Sequence, residues 1–238
     1  MSLKKWYSVF YYQFLVSCRS RESVFFTIIL SPLLFVIFGM AFRIDEEYAK
    51  FFLPGMIAST TCSDALYAVG PVIKNYFSMN IVRYFKGYPV NLSSLFVGFI
   101  LTRLIFILVS TLILIAVSVF IFGFQPSFVD LARYFLGVIF IFSIYSFIAL
   151  TISFYGIKDS KDQGITGIYY MLTIFLSDAF FVLSKANLTF DIVGYFFPLK
   201  TVLIYMRGDI FYLVFCCGWL FLSFVIFYFR IKKLQLTR

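Results

Sequence analysis

The sequence contains no histidine. That absence excludes Ser-His-Asp triads, HExxH metalloproteases and histidine-ligated metals together. Charge is scarce as well: Asp, Glu, Lys and Arg make up 13% of the 238 residues, against about 25% in soluble domains. A soluble chain of this length coats its surface with polar groups, and too few are present here. The four cysteines, Cys18, Cys62, Cys216 and Cys217, have no CxxC spacing, and three lie in apolar runs. They read as small hydrophobes rather than as a zinc site or a disulfide framework. None of the thirteen glycines is followed by lysine, so no GxxxxGK[ST] phosphate loop exists. No cleavable signal peptide is expected either. Ser8, Gln13 and Ser17 break the stretch after Lys4 and Lys5, and no A-x-A-like site precedes Arg19.

What is present is oil. Hydrophobic residues make up 62% of the chain and aromatics 23%. These residues must face something other than water, and lipid is the available solvent. The length suits six spans of about 20 residues and leaves no room for a second soluble domain of about 100. The net charge of +9 does not point to nucleic acid, because the basic residues punctuate apolar runs instead of forming one face.

The expected fold is all-α and polytopic, one transmembrane domain over residues 1–238. Residues 3–20 read as an amphipathic interfacial helix, with Leu3, Trp6 or Tyr7, Phe10, Phe14 and Cys18 on one stripe. Spans are predicted at about 24–42, 52–73, 95–122, 132–154, 165–183 and 210–229. The polar segment 74–92 separates the second and third. Residues 184–208 hold apolar pieces too short to cross, read as short helices or a re-entrant turn at the outer surface. With the amino terminus inside, 13 basic residues fall on the cytoplasmic side and 6 opposite, which favours both ends in the cytoplasm.

Three ionisable residues, Asp64, Arg103 and Asp178, fall within the expected spans. A charge there costs roughly 2.5–3.5 kcal/mol on insertion scales, so each should face protein, a water-filled cavity or a partner. Asp64 and Arg103 lie on antiparallel spans at similar depth, about 12–14 Å from the inner boundary. They are expected to pair, and a static ion pair fixing helix register is the preferred reading over a proton or substrate site. Asp178, near an outer end, is expected to reach water, and the resemblance given below would set it close to the substrate path.

Five motifs in order carry a resemblance: Arg19-x-Arg21 closing the interfacial helix; Pro32 in Leu30-Ser31-Pro32-Leu33-Leu34; Phe51-Phe52-Leu53-Pro54-Gly55-Met56-Ile57; Lys86-Gly87-Tyr88-Pro89-Val90; and Phe196-Phe197-Pro198-Leu199-Lys200-Thr201 followed by Arg207-Gly208-Asp209. The set resembles the membrane-spanning subunit of type-2 ATP-binding-cassette (ABC) exporters over nearly the whole chain. The resemblance implies a plasma- or inner-membrane permease that forms a homodimer or heterodimer. It binds no cofactor itself, because a separate ATPase chain binds and hydrolyses ATP. It also implies that 74–92 docks on that ATPase as a coupling helix and that the second and fifth spans line the substrate path. The segment departs from the family in having no glutamate. Docking would therefore run through Lys74, Tyr76, Phe77, Arg83, Tyr84, Phe85 and Lys86, basic residues that anionic lipid headgroups would also attract.

The few polar residues in the spans favour a hydrophobic or amphipathic substrate such as a drug, antibiotic, lipid or polysaccharide. The rival classes are an ion-coupled carrier, which should show inverted repeats and broken midplane helices, and an intramembrane enzyme, which lacks its catalytic residues here. The orientation makes a direct prediction. Tags in 74–92 and at both termini should be accessible only from the cytoplasmic side, and outer exposure of 74–92 refutes the topology.

Overall fold

The computed structural model describes residues 3–41, 46–78, 92–155, 161–182 and 188–236. Among them the chain is helical, with no strand. Helix α1 is Leu3–Arg19. Residues 21–41, called α2, comprise Arg21–Val24, a π-helical turn Phe25–Ile29, and Leu30–Ala41. Residues 46–78, called α3, are built alike: Glu46–Asp64, a π-helical turn Ala65–Val69, and Gly70–Ser78. Next come α4 (Leu92–Phe122), α5 (Phe128–Tyr155) and α6 (Lys161–Phe175). Two short helices, α7 (Leu188–Gly194) and α8 (Pro198–Met206), precede a 3-10 turn Ile210–Tyr212 and the final α9 (Leu213–Leu236).

The two π-helical turns have a common sequence cause. Each lies just before a proline, Pro32 or Pro71. A proline in a helix lacks an N–H and its ring collides with the carbonyl four residues back. Those carbonyls belong to Ile28 and Tyr67, inside the two wide turns. Widening the turn relieves the collision, and the Leu30 N–H bonds instead to the Phe25 carbonyl, five residues back.

Three segments are long and apolar enough to cross a bilayer: Phe96–Phe122, Phe128–Phe154 and Ile210–Arg230. They mark the chain as a membrane protein. The first, 27 residues long, measures about 40 Å, more than the ~30 Å hydrocarbon core. The apolar helix Phe25–Ala41 is shorter.

Side-chain contacts set the helix directions. Ser31 meets Thr60 and Phe35 stacks on Phe52, so α2 and α3 run antiparallel. Arg103 meets Thr27 while Phe122 meets Phe35, so α4 runs with α2. Cys62 contacts Tyr145 and Gly70 abuts Ser153, so α5 runs with α3. Tyr67 meets Tyr170 and Gly55 meets Ala179, so α6 and its continuation oppose α3. Phe147 packs on Phe224 and the Phe154 carbonyl accepts from Arg230, so α9 runs with α5. Helices α2, α3, α4, α5, α6 and α9 thus alternate in direction. The start of α2 and the end of α9 share one end of the bundle.

Helix α5 is the axis of the core. It packs on α3, α8 and α9, and Ile141, Ile144 and Tyr145 are fully buried. Helix α9 is the opposite case, with Val214 69% and Phe221 70% exposed, an apolar surface suited to lipid. Helix α1 packs chiefly on α4, and Phe14 stacks on Phe106 near the middle of that helix.

Within 184–208 the described residues form the short helices α7 and α8. Helix α8 is buried inside the bundle rather than lying on its surface. Pro198 opens it, where a missing N–H costs nothing. The next backbone N–H, of Leu199, donates to the Tyr145 hydroxyl at 3.2 Å. From there α8 runs back along α5, and Met206 lies against Gly137. Irregular backbone at depth is tolerated when protein surrounds it, as here.

Close packing of α3 on α5 needs the absence of a side chain at Gly70. A methyl built there would lie 2.6 Å from Ser153 Oγ and 2.8 Å from the Ala149 carbonyl oxygen. Gly218 on α9 has nothing within 4 Å. Gly70→Ala should therefore destabilise by about 1–3 kcal/mol, and Gly218→Ala should be neutral or slightly stabilising. Thermal unfolding of the detergent-solubilised chain checks both.

Candidate functional site

The π-helical turns place polar residues from α2 and α3 opposite the same point of α4. Thr27 lies within the first turn and Asp64 immediately precedes the second. Between them Arg103 projects from α4. Its Nε donates to Asp64 Oδ2 at 3.0 Å and its Nη2 to Asp64 Oδ1, a bidentate fork. The same Nη2 donates to Thr27 Oγ1 at 2.9 Å, and that hydroxyl donates to Asp64 Oδ1 at 2.8 Å. Both charged side chains are about 5% exposed. Three helices are therefore pinned at one level by a closed, charge-neutral network.

Beside the network a cleft of about 480 Å³ opens among α2, α3 and the region of α6. Its wall mixes aromatic rings (Phe38, Tyr67, Tyr170, Phe180) with hydroxyls (Ser31, Ser63). Several hydroxyls of α3 are occupied by their own helix: Ser59 donates to the Gly55 carbonyl at 2.8 Å and Thr60 to that of Met56 at 2.7 Å. Such back-bonding lets an apolar helix carry polar atoms without stranding them. Ser31 and Thr60 hydroxyls lie 2.5 Å apart across the α2–α3 seam. The cleft is electrically balanced and amphipathic, fitted for an uncharged or weakly polar molecule.

Asp178 lies elsewhere. The expected fifth span, 165–183, is helical only to Phe175, and turns occupy the residues beyond. Asp178 is in this turn, and its partly exposed carboxylate meets a lysine: Lys200 Nζ is 3.3 Å from Asp178 Oδ2. The same ammonium donates to Asp191 Oδ1 at 2.5 Å and to the Asp191 carbonyl at 2.8 Å, and lies 4.5 Å from the Tyr195 ring centre. Lys200 is 1% exposed. A charge so buried persists only when it is paired. Nearby, Arg207 donates to the Asp178 carbonyl at 2.7 Å and the Phe51 carbonyl at 3.3 Å, over the Phe51 ring. Burial lowers the Arg207 guanidinium to about 10, against the opposing pull of Asp178, so it stays charged at neutral pH.

The structure thus brings Asp64 and Arg103 together and sets Asp178 apart from them. Of the residues expected to dock an ATPase, Lys74 and Tyr76 are half-buried on the last turns of α3, with Tyr76 against Phe96. Phe77 belongs to the same helix end. Arg83, Tyr84, Phe85 and Lys86 lie outside the described residues. Sequence reasoning missed Thr27 and the Lys200–Asp191 pairing. The signal for the latter was a lysine and an aspartate in mainly apolar pieces, which need a partner when buried. Among the described residues no group of three or more His, Cys, Asp or Glu could hold a metal ion. No family model and no curated protein matches the chain.

The network predicts a non-additive cycle. Asp64→Ala leaves Arg103 buried without its counter-charge and should destabilise by about 3–5 kcal/mol. The double change Asp64→Ala, Arg103→Ala should cost less than Asp64→Ala alone. Unfolding measurements that give strictly additive losses would reject the coupling.

Proposed function

We propose that this chain is the permease subunit of a type-2 ABC exporter. It crosses the cell membrane six times, with both termini in the cytoplasm, and dimerises with an identical or related chain. A separate ATPase drives it. The observation that carries the reading is the alternating direction of α2, α3, α4, α5, α6 and α9, with more of the basic residues at one end of the bundle than at the other. Arg19, Arg21, Lys74, Arg230 and Lys232 belong to that end, which the positive-inside rule assigns to the cytoplasm.

Further features support it. The motif around Pro54 and Gly55 forms the close contact of α3 with the chain after α6, and the motif around Pro198 builds the interior helix α8. The cleft lies on the α3 and α6 side, where the resemblance puts the substrate path. Its neutral, aromatic and hydroxylic wall suits a hydrophobic or amphipathic substrate. The chain has no phosphate loop, and in this reading the energy comes from a partner rather than from an ion gradient. Helix α3 extends through Lys74 and Tyr76 to Ser78, carrying the chain toward residues that would dock on that partner.

The test is co-purification. The tagged chain extracted from its native membrane should bring down a cassette-type ATPase that hydrolyses ATP. Replacing 79–91 by a Gly-Ser linker of equal length should abolish the association while the chain stays in the membrane. Recovery of the intact chain without an ATPase overturns the reading, and unchanged recovery after replacement removes 79–91 as the docking element.

A further inference from the structure

Ser20 joins α1, which ends at Arg19, to α2, which begins at Arg21. The join is short: the Ser20 N–H lies 3.2 Å from the Val16 and Ser17 carbonyls, and the Val24 N–H donates to that of Ser20. Just beyond it comes the widened turn Phe25–Ile29. There two successive rings, Phe25 and Phe26, are both exposed, with centres 5.5 Å apart. Between these rings and the end of α1 lies a groove of about 540 Å³. Val24, Phe25, Phe26 and Ile29 form its apolar wall, and Cys18 and Arg21 complete it. Arg19, Arg21 and Cys18 are exposed. From Ile29 an exposed apolar line continues along α2 through Leu33 and Ile37, four residues apart.

We propose that this groove seats one anionic phospholipid, with its phosphate at Arg21 and Arg19 and an acyl chain on Val24, Phe25 and Ile29. Charge selects the headgroup. Residues 1–30 carry Lys4, Lys5, Arg19 and Arg21 against Glu22 alone. A guanidinium matches a phosphate through its planar fork, and basic side chains beside a membrane attract anionic lipid. The apolar wall selects the tail, since a free phosphate would leave it uncovered. A second copy of the chain fits poorly, because a two-fold contact here would bring Arg21 toward its own counterpart. The groove shares Phe26 with the cleft beside Asp64, but the cleft is electrically balanced and the groove has a cation at its edge.

Neither transport nor an ATPase enters the test. Cys18 is a native reporter within the groove, and Cys217→Ala in the full-length chain removes the other exposed thiol. The purified, delipidated protein is titrated in dodecyl maltoside with phosphatidylglycerol or with phosphatidylcholine of the same chains. The quantity read is the lipid mole fraction that halves the rate of Cys18 labelling by N-ethylmaleimide. Phosphatidylglycerol should need at least about fivefold less lipid than phosphatidylcholine, the effect of one arginine beside an anionic group. Arg21→Gln should remove that advantage, and Arg21→Lys should keep most of it. Lys232→Gln, an exposed cation at the same end of the bundle, should leave it unchanged. Ile29→Gln should weaken both lipids alike, because it alters only the tail seat. Arg21 is exposed, so without lipid Arg21→Gln should unfold at the parent's temperature.

Equal protection by the two lipids, or none by either, overturns the site. A loss in Lys232→Gln equal to that in Arg21→Gln replaces it with diffuse surface charge. Protection by inorganic phosphate alone makes it an anion site and overturns the lipid.

Discussion

Apolar surroundings make a lone charge costly, and the pairing of Asp64 with Arg103 answers that constraint at the meeting of three helices. The fork fixes more than two side chains. Arg103 must point at α2 and α3 together, which sets the rotation of α4. Thr27 must face inward, which sets the rotation of α2. With those rotations fixed, Ser31 opposes Thr60 and Phe35 stacks on Phe52 along the same seam. The cleft is the space remaining between helices held in that register, so its shape depends on the ion pair although its wall is mostly apolar and aromatic.

Prolines do related work on the backbone. Pro32 and Pro71 each come just after a widened turn, and those turns are where Thr27 and Asp64 enter the network. A π-helical turn rotates the rest of its helix relative to a regular one. The two helices can therefore present polar residues inward at one level and still show apolar faces above and below.

Much of this arrangement was legible in the residues, and the limits have physical causes. Helix-length apolar runs and interrupting charges announce a helical membrane chain, because hydrocarbon tolerates few other structures. Asp64 and Arg103 could be matched by counting residues from the ends of neighbouring spans. Lys200 could not be assigned a partner that way, because Asp178 and Asp191 sit in turns and short helices whose course no periodicity predicts. The early end of α6 at Phe175 was hidden too, since residues 176–182 are as apolar as a span; only the contacts of Asp178 with Arg207 and Lys200 explain the break. The packing of α1 on α4 was not specified, because an amphipathic stripe asks for an apolar neighbour without distinguishing lipid from protein.

Helix α8 has a consequence for biogenesis. Its first free amide is satisfied by Tyr145 on α5, and its lysine by carboxylates of the chain after α6 and of α7. Everything it needs precedes it in the chain. A ribosome delivering this protein in order presents residues 198–206 to a groove already lined with these partners, so the buried lysine of this helix is not required to enter lipid by itself.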